Sequence, residues 1–514
     1  MKKSALILSV TLLAGTLLTA CGGGGAGTTG GAEKTDREAL TVAVSADATS
    51  LDPISYNDIY SENVMKQIYN KLMEQDEEGE LVPGLAESIE QPDPQTFVVH
   101  LREGIQFSNG NPLTAEDVVY SLTRLTTSPK YAYIYDKIDT DSFETPDDYT
   151  VRFRLKSPDG SFLMALSHPA ASIVDKETVE AAGDGYAKAP VGTGPFKLES
   201  WKELDNITLT KNDTYYGDAP AFNKMVLKVI AEPNNRLIEL ESGQVDVAYE
   251  IAPNDIAKVE ENDALTLYRK LDNSVHFLGM NVENGPFTNP KAREALSHAM
   301  NLQEMVDSVY MGVGKVATST VNPNFPYSIA DTMKAPEYNA EEAKKLFEEA
   351  GVAPGTTFKI YTNDNQQRQD MATILQAKLQ EIGYDATITT LEWGAYVEAL
   401  SHKEHDIFFM SWSPSVVDPH YALYGPFHSK NKGVGPNYMF YGNPTLDDLL
   451  DRGIAMENGP EREGVYKDAQ ELLGKELPWI PVAYGEQVFA AQKYVKNLTP
   501  SASSSQTLYK ITFE

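Results

Sequence analysis

The sequence predicts an α/β protein, and three observations carry this prediction. Helix-like and strand-like segments alternate along the chain instead of occurring in separate blocks, which is typical of α/β domains. One stretch, residues 357–412, has the pattern strand, helix, strand, helix, strand. The chain has 514 residues with 41% hydrophobic content, which is enough for two or three domains that each bury a core.

The elements near the N-terminal end have the periodicity of ordinary core structure. The segment "LTVAVSA", which starts at Leu40, alternates apolar residues with small or polar ones and predicts a strand. The next segment, "ENVMKQIYNKLME", predicts a helix with Val64, Ile68 and Leu72 on one face. A further apolar run, "TFVVHL", predicts another strand.

Two further helices carry recognisable start and stop signals. In "TAEDVVYSLTRL", Thr114 and Asp117 have the spacing of a capping box. In "NAEEAKKLFEEAG", Asn339 is the expected N-cap and Gly351 the expected terminator. These residues predict where the helices begin and end.

The module at residues 357–412 also predicts where a ligand binds. Its strands are "TFKIY", "DATITTL" and "HDIFFM", and its helices are "RQDMATILQAKLQEIG" and "WGAYVEAL". Strands connected in this way are expected to be parallel, and ligands bind beyond the carboxyl ends of such strands. The last strand runs into "MSWSPSVVDPH", so we expect Trp412, Ser413 and Ser415 at a crevice.

The N-terminal segment predicts export and a lipid anchor. Lys2 and Lys3 precede a short apolar run that ends in small residues, which is typical of a secretory signal over residues 1–20. Cys21, the only cysteine, lies in "LLTACGGGG", and the tetrad ending at this residue resembles the lipobox of bacterial lipoproteins. The following residues, to position 36, are mostly Gly, Ala and Thr and predict a flexible tether.

The charge of the chain excludes one class of partner. The formal net charge is −31, from 43 basic and 74 acidic residues. Loss of Lys2 and Lys3 with the signal peptide leaves −33. Such a surface repels phosphate backbones and anionic lipid heads. We therefore expect no nucleic-acid partner, and we expect attachment to the membrane to rest on the lipid.

No enzyme motif emerges from the sequence. It contains no G-x-S-x-G elbow, no H-E-x-x-H pair and no Walker loop. His402 and His405 end a short predicted helix, where charged residues usually face water, so we predict no metal site and no cofactor. A secreted hydrolase remains the alternative from a different class, because 74 carboxylates provide many acid pairs.

Seven segments in order resemble one protein family. They cover almost the whole mature chain and are similar to the solute-binding proteins of peptide and nickel ABC importers, of the large oligopeptide-binding type. The segments are "SLDP", "LVPGLAESIE", "FVVHLREGIQFSNGNPLTAEDVVYSLTR", "PVGTGPFKLESW", "NPKAREALSHAMN", "LEWGAYVEAL" and "YGNPTLDDLL". The lipobox agrees with this resemblance independently.

The resemblance implies a periplasmic-binding-protein fold of two α/β lobes that close about a hinge. It also implies a lipid-anchored, monomeric receptor outside the cytoplasm that passes short peptides or peptide-like solutes to the permease of an ABC importer. The expected domains are a first lobe (37–70, 190–272 and 480–514), a subdomain inserted in it (71–189) and a second lobe (273–479).

The predicted crevice departs from the pattern of well-understood family members. Oligopeptide and dipeptide binders carry an Asp three residues after the tryptophan, which pairs with the amino group of the peptide. Here that position is Ser415, and the nearest acid is Asp418. The stretch "SWSPS" is similar to glutathione-binding relatives. Three alternatives stay open: Asp418 reaches the site, the ligand resembles glutathione, or the ligand is a nickel chelate near His420.

Five further residues are candidates for the site, and Trp412 has a specific expected role in it. The resemblance implies that Arg368 holds a ligand carboxylate. In the predicted strand "VHFLGMN", Asn281 or the main chain of Gly279 is expected to pair with a peptide backbone. Trp412 is expected to wall the cleft with its indole N–H free, because an amphipathic indole suits a half-apolar pocket. The remaining candidates are Trp393 as a second wall, with Tyr56 and Asn57 facing these residues from the first lobe.

Overall fold

The computed structural model describes residues 37–76, 79–433, 435–503 and 505–514. The predicted signal peptide (1–20), the lipidation residue Cys21 and the tether lie outside the described residues, so these assignments stay predictions. Within the described ranges, none of the helices combines the length and the apolar character that crossing a membrane requires.

The elements alternate along the chain, as expected of an α/β protein. The strands are β1 Ala39–Val44, β2 Met73–Gln75, β3 Leu81–Pro83, β4 Ala86–Asp93, β5 Thr96–Leu101, β6 Ile138–Asp147, β7 Thr150–Leu155, β8 Phe196–Lys202, β9 Asn206–Lys211, β10 Lys224–Val229, β11 Val247–Ala248, β12 Leu265–Met280, β13 Lys315–Val316, β14 Thr357–Asn363, β15 Asp385–Leu391, β16 Ile407–Trp412, β17 Trp479–Gln492, β18 Val495–Lys496 and β19 Thr512–Phe513. The α-helices are α1 Ile59–Ile68, α2 Ala115–Thr126, α3 Ala132–Tyr135, α4 Phe162–Ala165, α5 Lys176–Ala182, α6 Pro233–Glu241, α7 Ile256–Glu260, α8 Pro290–Ala299, α9 Leu302–Val309, α10 Ala340–Glu349, α11 Gln366–Glu381, α12 Trp393–Ser401, α13 Pro419–Phe427, α14 Pro444–Ala455 and α15 Pro460–Glu476.

One large mixed sheet connects the two halves of the molecule. Its strand order is β15-β14-β16-β12-β17-β11-β1-β10-β9-β8. At its centre the long strands β12 and β17 pair antiparallel, and the pairing of β12 extends from Leu265 to Gly279. A register shift interrupts it between Leu271 and Val275. Irregularities of this kind bend strands. The paired strands β12 and β17 lie at the centre of the sheet and connect the two lobes.

The two ends of the sheet belong to separate hydrophobic cores. Leu40 and Val42 of β1 lie in one core, and Phe358 and Leu375 of the module at 357–412 lie in another. The strand β17 contributes to both sides, because Ile480 packs in the core of the second lobe while residues near its end pack beside β1. The exact division of the chain into lobes stays our proposal.

A smaller antiparallel sheet lies within the segment predicted to be inserted. Its strand order is β4-β5-β7-β6. The helix α2 packs against β6 and β7, and its apolar face is buried. Phe97 of β5 and Phe153 of β7 stack with their ring centroids 5.5 Å apart. This unit brings its loops to the side where the two lobes meet.

Most of the predicted local signals are confirmed. The strand β14 pairs parallel with both β15 and β16. The backbone N–H of Thr114 donates to the carboxylate of Asp117 at 3.0 Å, which completes one half of the capping box. Asn339 caps α10 by accepting from the N–H of Glu342, and Gly351 follows that helix with a φ of +81°.

The predicted helix at residues 62–74 has different bounds. The helix α1 begins at Ile59 and ends at Ile68, so Leu72 lies outside it. The reason is tertiary: the carbonyl of Ile68 accepts a hydrogen bond from Gly194 N at 2.8 Å, and that of Leu72 accepts one from Gly84 N at 3.0 Å. These contacts come from distant segments and replace the next helical turn.

Candidate ligand-binding site

A cavity of about 660 Å³ lies where the first lobe, the inserted subdomain and the second lobe meet. Pockets for small molecules typically measure about 300–1,000 Å³. One side is built around α1, and the opposite side is the loop from Ser413 to Val417 beyond β16. The segment from Asp272 to Ser274, at the register shift of β12, also lines it. A ligand in this cavity therefore contacts both lobes.

The wall on the first lobe carries charged groups on α1. Asp58 is the N-cap, and its carboxylate accepts from the N–H of Ser61 at 2.7 Å. Glu62 and Lys66 line the cavity from the following turns of the helix. The ammonium of Lys66 donates to the carbonyl of Ser505 at 2.9 Å. The helix thus presents one acid and one base to the cavity.

The wall on the inserted subdomain is aromatic. The hydroxyl of Tyr133 donates to Ser415 Oγ at 2.8 Å, which joins this wall to the second lobe. His168 lies deeper, and its Nδ1 accepts from the N–H of Ala170 at 3.1 Å. Burial lowers the pKa of His168 to about 3, with the charge of Lys71 adding to this effect. The imidazole is therefore neutral near pH 7.

The C-terminal segment closes one edge of the cavity with hydroxyl groups. Ala502, Ser503 and Ser505 line it. The hydroxyls of Ser503 and Ser505 lie 3.2 Å apart, and that of Ser501 lies 2.9 Å from Ser503. Each hydroxyl both donates and accepts hydrogen bonds. This edge can therefore bind amide or carboxylate groups of a ligand.

Charges of both signs face the cavity. The lining carboxylates and ammonium groups are those of Asp58, Glu62, Glu74, Asp272, Lys66, Lys71 and Lys130. Burial lowers the pKa of Lys66 to about 8, and the neighbouring positive charge of Lys71 acts in the same direction. Burial also raises the pKa of Glu62. The site therefore suits a ligand that carries both an anionic and a cationic group.

Four of the predicted site residues line this one cavity. They come from both lobes: Tyr56, Asn57, Ser413 and Ser415. The phenol ring of Tyr56 is buried, whereas Ser413 and Ser415 are exposed at the loop. Their contact with a ligand stays a prediction, but the structure brings them together as the strand-end argument expects.

Two other candidates lie away from the cavity lining. Asn281 is buried, and its side chain donates to the carbonyl of His405 at 3.3 Å and accepts from the N–H of Glu283 at 3.2 Å. It therefore shapes the turn after β12. Trp393 is 47% exposed at the start of α12, with the guanidinium of Arg368 5.7 Å from its ring centroid.

Arg368 and Trp412 have partners within the second lobe. The guanidinium of Arg368 donates to Asn363 Oδ1 at 2.9 Å and to Ser411 Oγ at 3.0 Å. The indole N–H of Trp412 donates to the carbonyl of Ala422 at 3.1 Å. The expectation of a free indole N–H is therefore wrong. Neither side chain lines the cavity.

Asp418 does not reach the cavity. Its carboxylate is buried and accepts two hydrogen bonds from Arg462, at 2.7 and 2.9 Å. It also caps α13 by accepting from the N–H of His420 at 2.9 Å. The hypothesis that Asp418 replaces the amine anchor of the family is therefore corrected. A fully paired carboxylate inside the lobe supports the loop instead.

The sequence reasoning missed the groups on α1 and on the inserted subdomain. Glu62 and Lys66 are opposite charges four residues apart, a pattern that more often marks a solvent-exposed helix face. Tyr133 and His168 lie in segments with no periodic signal. Only the docking of the inserted subdomain against the lobes brings these four residues to one cavity.

The histidines near the second lobe do not assemble a metal site. In residues 37–76, 79–433, 435–503 and 505–514 there is no group of three or more His, Cys, Asp or Glu side chains placed to hold a metal ion. His405 is buried with Nε2 3.1 Å from the carbonyl of Tyr438. Burial lowers the pKa of His420 to about 3. The nickel-chelate alternative gains no support from these side chains.

Comparison with known families decides the identity of the fold. Residues 80–434 match the sequence model of the bacterial extracellular solute-binding proteins, family 5. The chain belongs to this family. The family 5 proteins are extracytoplasmic solute-binding proteins of ABC importers for peptides and nickel, so the resemblance found in the sequence is confirmed.

The curated relatives of this family 5 protein include glutathione-binding proteins. The chain is 32% identical over 470 residues to the glutathione-binding protein GsiB of Shigella dysenteriae, covering 90% of this chain and 91% of that relative. It is 31% identical over 470 residues, with the same coverage, to GsiB of Escherichia coli strain K12. These alignments span both lobes.

Solved structures confirm the two-lobe α/β fold. The periplasmic binding protein DppA of Helicobacter pylori, in complex with the peptide STSA, is 29% identical with a TM-score of 0.78. That match covers 93% of this chain and 98% of DppA. HbpA2 of Haemophilus parasuis is 26% identical with a TM-score of 0.85, covering 93% of this chain and all of the other.

Proposed function

We propose that this family 5 protein captures short peptides or peptide-like solutes outside the cytoplasm and delivers them to an ABC importer. The observation that carries the proposal is the cavity between the lobes, with lining groups from both lobes and from the inserted subdomain. A ligand that contacts both lobes favours their closed arrangement, which is the signal a partner permease can recognise.

The charges in the cavity support a peptide-like ligand. Short peptides carry an ammonium group and a carboxylate, and the cavity has acids and lysines to pair with both. The serine hydroxyls at its C-terminal edge add partners for amide groups. The relatives support the same class, since GsiB is a glutathione-binding protein and DppA was solved with the peptide STSA.

One observation favours a ligand of the glutathione type within this class. The loop beyond β16 has Ser415 where family members place the acid that pairs with an amino terminus. Asp418, the next acid of this loop, is neutralised by Arg462. An ordinary amino terminus therefore finds no free carboxylate on this wall.

Calorimetry on the purified protein tests the ligand class. Glutathione, Ala-Ala and Ala-Ala-Ala are titrated in parallel at the same pH and ionic strength. We expect glutathione to bind at least tenfold more tightly than the two alanine peptides. Tight binding of the alanine peptides instead supports a general oligopeptide receptor. If neither glutathione nor any short peptide binds, the proposed function is wrong.

A receptor also returns its ligand unchanged. Overnight incubation with glutathione or Ala-Ala-Ala, followed by mass spectrometry, is expected to recover the same masses. A product whose amount scales with protein concentration would support the secreted hydrolase alternative.

The lipid anchor is proposed from the sequence motif around Cys21. Because no other residue of the chain has a thiol, Cys21→Ser is expected to leave an unprocessed precursor or to release the protein into the medium. Membrane fractionation with labelled fatty acid measures this. Recovery of the Ser variant in the membrane, processed and labelled, would falsify the anchor assignment.

A further inference from the structure

Two charged side chains of the cavity, Glu62 and Lys66, lie one helical turn apart on α1. Residues at positions i and i+4 face the same side of a helix, with Cβ atoms about 5–6 Å apart. Opposite charges at this spacing often pair with each other. Among the described residues, however, neither Glu62 nor Lys66 is in an ion pair within 4.0 Å.

The other enclosed charges of the cavity are already engaged. Lys71 and Glu74 form an ion pair at 2.5 Å. The carboxylate of Asp58 accepts from the backbone and hydroxyl of Ser61 at 2.7 and 2.8 Å, and that of Asp272 accepts from the backbone N–H of Ser274 at 2.7 Å. Lys130 is exposed at the rim. Among these lining charges, Glu62 and Lys66 are the acid and base that lie one helical turn apart without forming an ion pair with each other.

Their existing bonds leave capacity for a ligand. Lys66 donates one hydrogen bond, to the carbonyl of Ser505, whereas an ammonium has three N–H groups. Burial has the larger effect on the pKa of Glu62, and Ser505 acts against it, in the direction that lowers this pKa; the carboxylate of Glu62 has two acceptor oxygens. Burial shifts the pKa of each group toward its neutral form. A ligand with one charge of each sign would stabilise the charged form of both groups.

We infer that Glu62 and Lys66 together bind a single α-amino-acid head group, with Glu62 pairing with its ammonium and Lys66 with its carboxylate. This inference rests on the proposed function as a receptor for peptide-like solutes. In such a head group both charges are attached to one carbon atom, which matches two side chains one helical turn apart.

The separation of the charges distinguishes this ligand from an ordinary peptide. Each residue of an extended chain adds about 3.3–3.6 Å between the two termini, so the charged ends of an extended tripeptide lie farther apart than the Cβ atoms of residues one helical turn apart. A γ-glutamyl peptide keeps its free α-amine and α-carboxylate on the same residue. The geometry therefore favours γ-linked ligands over α-linked ones.

The surroundings give the head group a direction. Lys71 adds positive charge beside Lys66, which favours the carboxylate at that end. The carbonyl of Ser505 holds the ammonium of Lys66 at 2.9 Å. With the head group on α1, the rest of the ligand extends toward the loop of Ser413 and Ser415 on the second lobe. A ligand of this kind contacts both lobes.

Three probes of related structure test the inference by calorimetry on the full protein. They are S-methylglutathione, its α-glutamyl isomer and its N-acetyl derivative; the methyl group removes the titrating thiol. The wild-type protein is expected to bind S-methylglutathione at least tenfold more tightly than either of the other two, because only this probe presents both charges on one carbon.

Two variants show whether the pair causes this discrimination. Glu62→Gln is expected to bind S-methylglutathione and its N-acetyl derivative with affinities within about threefold of each other, since the ammonium no longer has its partner. Lys66→Met is expected to lose its preference for a free α-carboxylate over the α-amide of the same ligand. Glu342→Gln and Lys345→Met, in an exposed pair on α10, are matched controls, and thermal unfolding confirms that each variant folds.

The outcomes separate this inference from the proposed function. Equal binding of the γ- and α-glutamyl isomers by the wild type, or discrimination that persists in Glu62→Gln, overturns the head-group inference while a peptide receptor stands. Binding of Ala-Ala-Ala without binding of S-methylglutathione has the same meaning. If the wild type binds none of these compounds, the proposed function fails, and the inference fails with it.

Discussion

At the level of single residues, the loop beyond β16 contains two polar residues with different surroundings. Ser415 faces the cavity and accepts from Tyr133, whereas Asp418 is buried against Arg462. The two lie three positions apart, and both were candidates for the ligand. The difference arises because the carboxylate of Asp418 forms a buried ion pair with Arg462, on α15, whereas the uncharged hydroxyl of Ser415 stays at the exposed loop. A charged residue beside a binding loop can therefore stabilise the fold of its lobe instead of contacting the ligand.

Asp418→Asn is expected to destabilise the protein before it affects binding. Removing one partner of a buried ion pair leaves the other charge uncompensated, which commonly costs about 3–5 kcal/mol of unfolding free energy. Urea denaturation measures this change, and Asp448→Asn, on the exposed face of α14, is the control. If stability is unchanged while the affinity for free-amine peptides is lost, Asp418 binds the ligand after all.

The pKa of Lys66 predicts how binding depends on pH. Without ligand this pKa is about 8, and the ammonium form is the one that pairs with a carboxylate. As pH rises through 8 the competent fraction falls, so the affinity for S-methylglutathione is expected to drop about tenfold between pH 7 and pH 9. The charged neighbours that face Lys66 are Lys71, Glu62, Glu74 and Lys510.

The variant Lys66→Met identifies the titrating group. It is expected to bind more weakly at pH 7 and to lose this pH dependence, apart from any titration of the amine of the ligand itself. Calorimetry at pH 7, 8 and 9 in buffers of matched ionic strength measures both. An equally steep pH profile in Lys66→Met would assign the titration to a different group.

At the scale of elements, a close contact joins the inserted subdomain to the second lobe. The N–H of Gly160 donates to the carbonyl of Ile454 at 2.7 Å, near the end of α14. A Cβ atom at Gly160 would lie 1.8 Å from the carbonyl oxygen of Met456. The two surfaces can therefore meet only because residue 160 has no side chain.

Gly160→Ala is expected to keep the inserted subdomain and the second lobe from reaching this contact. Overpacking of this size costs about 1–3 kcal/mol, so ligand affinity should fall about five- to hundredfold while each lobe stays folded. Calorimetry with S-methylglutathione measures the affinity, and near-ultraviolet circular dichroism checks the fold. Gly185→Ala, where an added Cβ meets nothing within 4 Å, is the control. Equal affinities of the two variants would show that this contact does not govern closure.

At the scale of the whole molecule, the lobes are joined through β12 and β17 and touch across the cavity. At the crossing, the side chain of Ser274 packs directly against the backbone of Gly485, where an added Cβ would lie 2.3 Å from Ser274 Oγ. The hydrogen bonds from Tyr133 to Ser415 and from Gly160 to Ile454 bridge the two sides. Bridging contacts of this kind are expected in the closed state of a hinge.

Ligand binding is expected to shift the molecule toward this state. Small-angle X-ray scattering should show a smaller radius of gyration with saturating S-methylglutathione than without ligand, because a bound ligand contacts both lobes. Gly160→Ala is expected to show a weaker decrease. An unchanged scattering curve at a concentration where calorimetry shows saturation would argue against the hinge mechanism.

Local sequence patterns predict the α/β class, the parallel module at residues 357–412, the start of α2 and both ends of α10. These features follow from local rules: apolar periodicity fixes the type of element, and residues such as Asn339 and Thr114 satisfy backbone groups within their own helix. The strand-end rule also placed Ser413 and Ser415 at the cavity, because parallel strands deliver their following loops to one edge.

Which charges are free depends on contacts between segments that are distant in the chain. Asp418 forms an ion pair with Arg462, 44 positions away, and Lys66 donates a hydrogen bond to the carbonyl of Ser505, 439 positions away. The end of α1 is likewise fixed by Gly194 rather than by a local stop signal. The physical reason is that burial and ion pairing depend on which distant segments pack together, and a residue's own neighbours in the chain carry no record of that packing.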